Sequence, residues 1–166
     1  MELARIEMPH GEATQAFAAA LGQRLWAGAV LALAGDLGAG KTTFVRGLAR
    51  GMGIEDPVSS PTYTLMHSYQ GSGLDLYHFD AWMEGRQKAF LQEGGDGVLD
   101  TDGVVVVEWA PRVAQFLPER VLQIEFSHLS ECSRLLVIRG NQDPWESALD
   151  AAKGEFESCG GGACEN

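Results

Sequence analysis

Residues 29–48 read AVLALAGDLGAGKTTFVRGL: six apolar residues, a glycine-rich turn, then the opening of a helical pattern. Ala29–Ala34 is apolar at every position, the pattern of a strand buried on both faces. Gly35-Asp36-Leu37-Gly38-Ala39-Gly40-Lys41-Thr42 satisfies G-x-x-x-x-G-K-[ST] throughout. Phe44, Val45, Leu48 and Met52 then carry the period of an amphipathic helix. Each residue type in the loop has a physical task. Glycines at 35, 38 and 40 let the backbone curl until successive N–H groups point into one concavity. The helix that follows presents its positive end to the same place, which suits a phosphate. Lys41 adds a point charge for β- and γ-phosphates, and the Thr42 hydroxyl is the usual Mg²⁺ ligand of such a loop. A chance match in a glycine-rich chain explains neither the strand before the loop nor the helix after it. The stretch predicts a nucleotide site built from Gly35, Gly38, Ala39, Gly40, Lys41, Thr42 and Thr43, in an α/β domain of the P-loop NTPase type.

Upstream, Phe17, Leu21 and Leu25 stand four apart among alanines, so Glu12–Trp26 reads as a helix, with Thr14 near its start as a cap. Downstream, Tyr63–Tyr69 and Leu74–Phe79 flank Gln70-Gly71-Ser72-Gly73, the pattern of a hairpin. Glu84–Gln92 reads as a short helix ahead of a glycine-rich loop at Gly94–Gly97. Four consecutive valines, Val104–Val107, predict a central strand. Val121–Phe126 and Leu135–Arg139 predict a second hairpin around Ser130–Ser133, and Trp145–Lys153 a last short helix. The remaining GEFESCGGGACEN is polar and glycine-rich, so a domain over 1–153 is expected to end in a mobile tail over 154–166. The expected architecture is a single domain with a mixed parallel and antiparallel sheet of about seven strands flanked by helices.

Composition agrees with one domain. The chain has 166 residues, 45% hydrophobic and 21% charged, enough apolar surface for a real core. No apolar run reaches the roughly 18 residues of a membrane span. The start, MELARIEMPHGEAT, has neither the basic nor the apolar region of a signal peptide, so a soluble cytoplasmic protein is expected. Three cysteines make no disulfide framework. Cys159 and Cys164 lack two further ligands for zinc, and nothing in sequence activates Cys132.

A P-loop enzyme needs a second anchor for magnesium, typically an acid at the end of a buried strand. Glu108, directly after four valines, and Asp80, closing Leu76-Tyr77-His78-Phe79-Asp80, both qualify as catalytic and metal-binding candidates. Each would open onto the carboxyl edge of a sheet, where ligands bind. Sequence leaves open which is the metal ligand and which the water-orienting base. His78 shares a strand face with Asp80, and three readings stand: it orients the carboxylate, touches the γ-phosphate, or is a packed strand histidine. His10, His67 and His128 show no metal-ligand spacing. The chain's only asparagines, Asn141 and Asn166, are not followed by lysine, so no guanine-reading segment exists and ATP is the expected nucleotide. In Val58–Leu65 (VSSPTYTL), Pro61 holds Ser60 extended, and two readings stand: an ordinary Ser/Pro loop entering a strand, or a segment whose two hydroxyls, Ser60 and Thr62, follow a γ-phosphate as switch segments do.

GDLGAGKTTFVRGL (35–48), VSSPTYTL (58–65), LYHFD (76–80) and VEW (107–109) occur in this order and spacing in the TsaE (YjeE) family, which the chain resembles from about Met8 to Arg139. The resemblance implies a small bacterial P-loop ATPase needed for threonylcarbamoyladenosine in tRNA. It implies binding of ATP and Mg²⁺ and slow hydrolysis of ATP in isolation. It also implies action on a complex of two related partners, the threonylcarbamoyl transferase subunit and its paralogue, without transfer of the group itself. Carried over by motif, Lys41 and Thr42 hold phosphate and metal, and Ser60 and Thr62 lie near the γ-phosphate. Asp80 and Glu108 are the acidic site residues, Trp109 lies near the nucleotide, and Gly11 to Thr14 lie by the adenine. The chain departs from the family where Ala81-Trp82-Met83 replaces an apolar residue followed by Tyr-Arg. The missing cation is expected from Arg86.

Two other classes share the same loop: a metabolite kinase, and a nucleotide-dependent regulatory switch without meaningful catalysis. A kinase lid brings several arginines, whereas residues 81–103 hold only Arg86 and Lys88. With 12 Lys+Arg against 23 Asp+Glu the chain carries −11, which repels phosphate backbones. Residues 75–108 hold 8 acids and 2 bases, and residues 140–166 hold 6 and 1. A monomer that reaches tRNA through a basic partner, and that touches no membrane, is the expectation.

Overall fold

The computed structural model describes residues 1–83, 85, 89 and 102–160. Seven strands form one sheet: β1 (Glu2–Met8), β2 (Val30–Gly35), β3 (Met66–Tyr69), β4 (Leu76–Asp80), β5 (Val104–Glu108), β6 (Leu122–His128) and β7 (Arg134–Arg139). Their order is β1-β7-β6-β2-β5-β4-β3. The four central strands, β6, β2, β5 and β4, are parallel, while β1, β7 and β3 are antiparallel to their neighbours. The continuous apolar runs are explained by this placement. Leu31, Leu33, Val104 and Val106 face a helical layer, whereas Val30, Ala32, Val105 and Val107 face a 3₁₀ segment over Ala110–Phe116. All four valines of β5 are fully buried.

The helical layer comprises α1 (Gly11–Gly22), α2 (Lys41–Gly51) and α3 (Trp145–Ser158). Small residues set how closely α1 and α2 approach. A Cβ on Gly47 would lie 2.4 Å from the Gln15 carbonyl oxygen, and one on Gly51 would lie 2.0 Å from that of Ala19. Phe17 from α1 then meets Phe44 of α2 at 6.5 Å and Phe156 of α3 at 5.9 Å between ring centroids.

Several expectations are corrected here. The first helix ends at Gly22 rather than Trp26, whose indole packs 4.4 Å from that of Trp145. Its cap is His10, whose Nδ1 accepts from the Ala13 amide, while the Thr14 hydroxyl donates back to the His10 carbonyl. The strand expected from Tyr63 begins at Met66, because Thr62–Thr64 turn outward and Tyr63 is 89% exposed. The last helix runs past Lys153 to Ser158 and buries Phe156 against Phe17, so the boundary expected at 153 falls inside a packed element. β1 and the 3₁₀ segment have no counterpart among the expected elements. Of the expected helix Glu84–Gln92 only Gly85 and Ala89 are described, and the loop Gly94–Gly97 lies outside the described residues. Among the described residues no helix is long and apolar enough to cross a membrane.

Candidate nucleotide-binding site

The carboxyl ends of β2, β4 and β5 open onto one cleft of about 320 Å³, lined by Leu37, Gly38, Gly40 and Lys41 to Thr43 on one side. Ser60, Thr62, Asp80, Trp82, Glu108 and Trp109 line the other. The register explains why the two acids meet there: Asp80 and Glu108 are lateral partners at the ends of adjacent parallel strands. Both are buried, at 2% and 3% exposure. Gly38 and Gly40 have φ of +74° and +102°, the left-handed region that side-chain-bearing residues rarely adopt. Open space adjoins both where a Cβ would stand. The loop therefore leaves a cradle at the start of α2, whose first backbone N–H groups have no partner within the helix.

Lys41 is buried, yet among the described residues it makes no ion pair. Its ammonium donates to the carbonyls of Gly35 at 2.7 Å and Asp36 at 2.9 Å, and sits 3.9 Å from the centroid of the Trp109 ring. Burial lowers its pKa, opposed by the negative charges of Glu108, Asp80 and Asp36. A desolvated cation held on neutral oxygens and a ring face is arranged to receive an anion.

The two acids do different things. Glu108 Oε1 accepts from the Thr42 hydroxyl at 2.8 Å and from His78 Nε2 at 2.8 Å. Asp80 Oδ2 accepts from the hydroxyls of Ser60 at 2.9 Å and Thr62 at 3.1 Å, and Oδ1 accepts from the Trp82 amide. Thus His78 serves Glu108, on the neighbouring strand, rather than Asp80 two residues along its own. The donor set of one hydroxyl and one carboxylate, beside a phosphate cradle, fits Mg²⁺, which takes one or two carboxylates and completes its shell with phosphate and water. Among the described residues no cluster of three or more His, Cys, Asp or Glu forms an all-protein metal cage.

Not every expected residue reaches the cleft. Gly35 contributes its carbonyl to Lys41, and Ala39 is fully buried beneath the loop. Gly11 lies against Thr43, since a Cβ there would stand 3.8 Å from that side chain, whereas the buried Thr14 hydroxyl is directed to His10. Trp82 was legible only as a departure from the family pattern. It packs 4.4 Å from Trp109, and the guanidinium of Arg112 lies 5.0 Å from its ring. Arg86 lies outside the described residues; among the described residues the arginine at this aromatic pair is Arg112. Arg134, which no sequence signal singled out, reaches from β7 to donate to the Gly38 carbonyl at 3.2 Å.

Residues 8–136 match the family model described as threonylcarbamoyl adenosine biosynthesis protein TsaE. This chain belongs to the TsaE family. Among curated TsaE proteins, named for tRNA threonylcarbamoyladenosine biosynthesis, that of Treponema pallidum is 40% identical over 118 residues. The match covers 71% of this chain and 87% of the relative. The TsaE protein of a Nostoc species is 35% identical over 136 residues, covering 80% and 83%. The crystal structure of YdiB from Bacillus subtilis matches with a TM-score of 0.76 at 31% identity, covering 91% of this chain and 94% of that one. Membership of TsaE assigns the chain to threonylcarbamoyladenosine biosynthesis, and the expected mixed seven-stranded fold is the one observed.

Proposed function

We propose that this protein binds ATP with Mg²⁺ in the cleft between the phosphate loop and the ends of β4 and β5, and hydrolyses it slowly when alone. The buried ammonium of Lys41, which makes no ion pair among the described residues and stands beside the glycine cradle, carries this reading. Lys41 binds the β- and γ-phosphates, and the backbone N–H groups of Gly38 to Thr43 surround them. Thr42 and Glu108 hold the metal, supported by their 2.8 Å contact. Mg²⁺, when bound, neutralises phosphate charge and favours departure of the γ-phosphoryl group. Asp80 holds the hydroxyls of Ser60 and Thr62 at the cleft wall, where they respond to the γ-phosphate. Trp109 closes one side over Lys41.

In the cytoplasm, as a monomer, it acts on the threonylcarbamoyl transferase subunit and its paralogue, resetting that complex between turnovers. The net charge of −11 supports contact with basic protein partners and disfavours direct grip on tRNA. The test is reconstituted tRNA modification with and without this protein, counting turnovers per transferase complex. Addition should raise the turnover number, and Lys41→Ala, which loses the phosphate cation, should not. Equal turnover without the protein refutes the role.

A further inference from the structure

His78 is wholly buried on β4, laterally paired with Val106 of β5 on one side and His67 of β3 on the other, and two residues from Leu76. Its Nδ1 is buried with no hydrogen-bond partner among the described residues. An imidazole packed this way costs stability that a leucine in the same place would not, because the lone nitrogen gives up water for nothing. Packing alone therefore does not explain it. The other nitrogen does. A carboxylate only accepts, so Nε2 carries a hydrogen and donates it to Glu108 Oε1 at 2.8 Å. Thr42 donates to the same oxygen. Glu108 Oε2 has no donor among the described residues, although Glu108 lines the cleft.

We propose that His78 is a positioning residue for metal binding. Its Nε2–H pins Oε1 so that Oε2 is offered to the cleft, and it keeps that hold when the Thr42 hydroxyl turns from Glu108 to a cation. This rests on the reading that Glu108 holds the metal. Carboxylate ligands are commonly fixed by such outer partners, whose loss lowers metal affinity by about ten- to a hundred-fold. The role differs from that of Asp80, whose oxygens already hold Ser60, Thr62 and Trp82.

The experiment measures by calorimetry the affinity for a non-hydrolysable ATP analogue in EDTA and in Mg²⁺; the ratio is the gain that the metal confers. His78→Leu should leave metal-free affinity within about threefold and reduce the gain by about tenfold or more, and Glu108→Gln should reduce the gain at least as far. His78→Gln, which carries an amide N–H to the place of Nε2, should keep the gain within about threefold of wild type. If His78→Leu does not fold, His78→Asn, whose amide stops short of Glu108, replaces it with the same expected loss. A full gain in His78→Leu, or equal losses in the Leu and Gln variants, overturns the proposal while leaving the site reading intact. No metal-dependent gain in wild type overturns both.

Discussion

Lys41 concentrates the electrostatic conflict of the site. Burial lowers its pKa, while Glu108, Asp80 and Asp36 act the other way. In the unfolded chain the same group holds its proton to about pH 10.4. Between the lowered folded value and that limit the unfolded state binds more protons, so stability must rise with pH across the window. The unfolding free energy of wild type minus that of Lys41→Met should therefore climb through the alkaline range, and Mg·ATP should flatten the climb by supplying the anion. A pH-independent difference in urea titrations would exclude the conflict. At Asp80 the stake is the switch segment. Removing its carboxylate in Asp80→Ala takes away hydrogen bonds worth about 1.5–3 kcal/mol each in charged pairs. Amide exchange at residues 60–65 should accelerate more than tenfold, while nucleotide affinity in EDTA stays near wild type. Unchanged protection would mean that Pro61 and the Thr64–His67–Tyr69 contacts hold the segment without Asp80.

Between elements, the seam of α1 and α2 places the phosphate loop relative to the sheet. The glycines at 47 and 51 bring backbone against backbone there, and an added methyl has no flexible neighbour to push aside. Gly51→Ala should lose about 1–3 kcal/mol by overpacking despite the better helix propensity of alanine, read as a lower urea midpoint at unchanged slope. Stabilisation would show that the helices can separate freely. Strain also gathers beside the two acids. The non-glycine residues with positive φ among those described are Leu65, at 69°, whose carbonyl accepts from the Asp80 amide, and Trp109, at 58°, which follows Glu108. Such conformations cost of order 1–3 kcal/mol and cluster at binding sites. At Trp109 the turn lays the indole across Lys41. The phosphate-loop context was legible because a doubly buried strand must be apolar throughout and this loop needs its glycines. β1 was not, since an edge strand with Glu2, Arg5 and Glu7 outward shows no continuous apolar signal. The 3₁₀ segment was hidden too, because only Ala110 and Val113 of its seven residues are buried.

Across the whole molecule, α3 ties the chain's last described helix to its first. Phe156 is 8% exposed and meets Phe17 edge-on, while Arg24 pairs with Glu155 at 2.6 Å. Phe156→Ala should cost about 3–5 kcal/mol and lower the melting temperature, which calorimetry can measure. A negligible change would mean α3 is dispensable, as reading 154–166 as a tail implies. That reading went astray because a glycine at 154 and four nearby polar residues outweigh one phenylalanine in composition, whereas packing needs only that Phe156 face inward. Sequence alone carried the phosphate loop, the valine strand, the acids that end β4 and β5, and the family pattern, because each is a local requirement of backbone conformation or burial. It left the pairing of functions open: Glu108 with Thr42 and His78, Asp80 with Ser60 and Thr62, Arg112 with Trp82. Those partners are 18 to 66 residues apart in the chain, and their contacts follow from strand order, register and helix crossing. Such long-range geometry is set by how the layers pack, and no local pattern of residues encodes it.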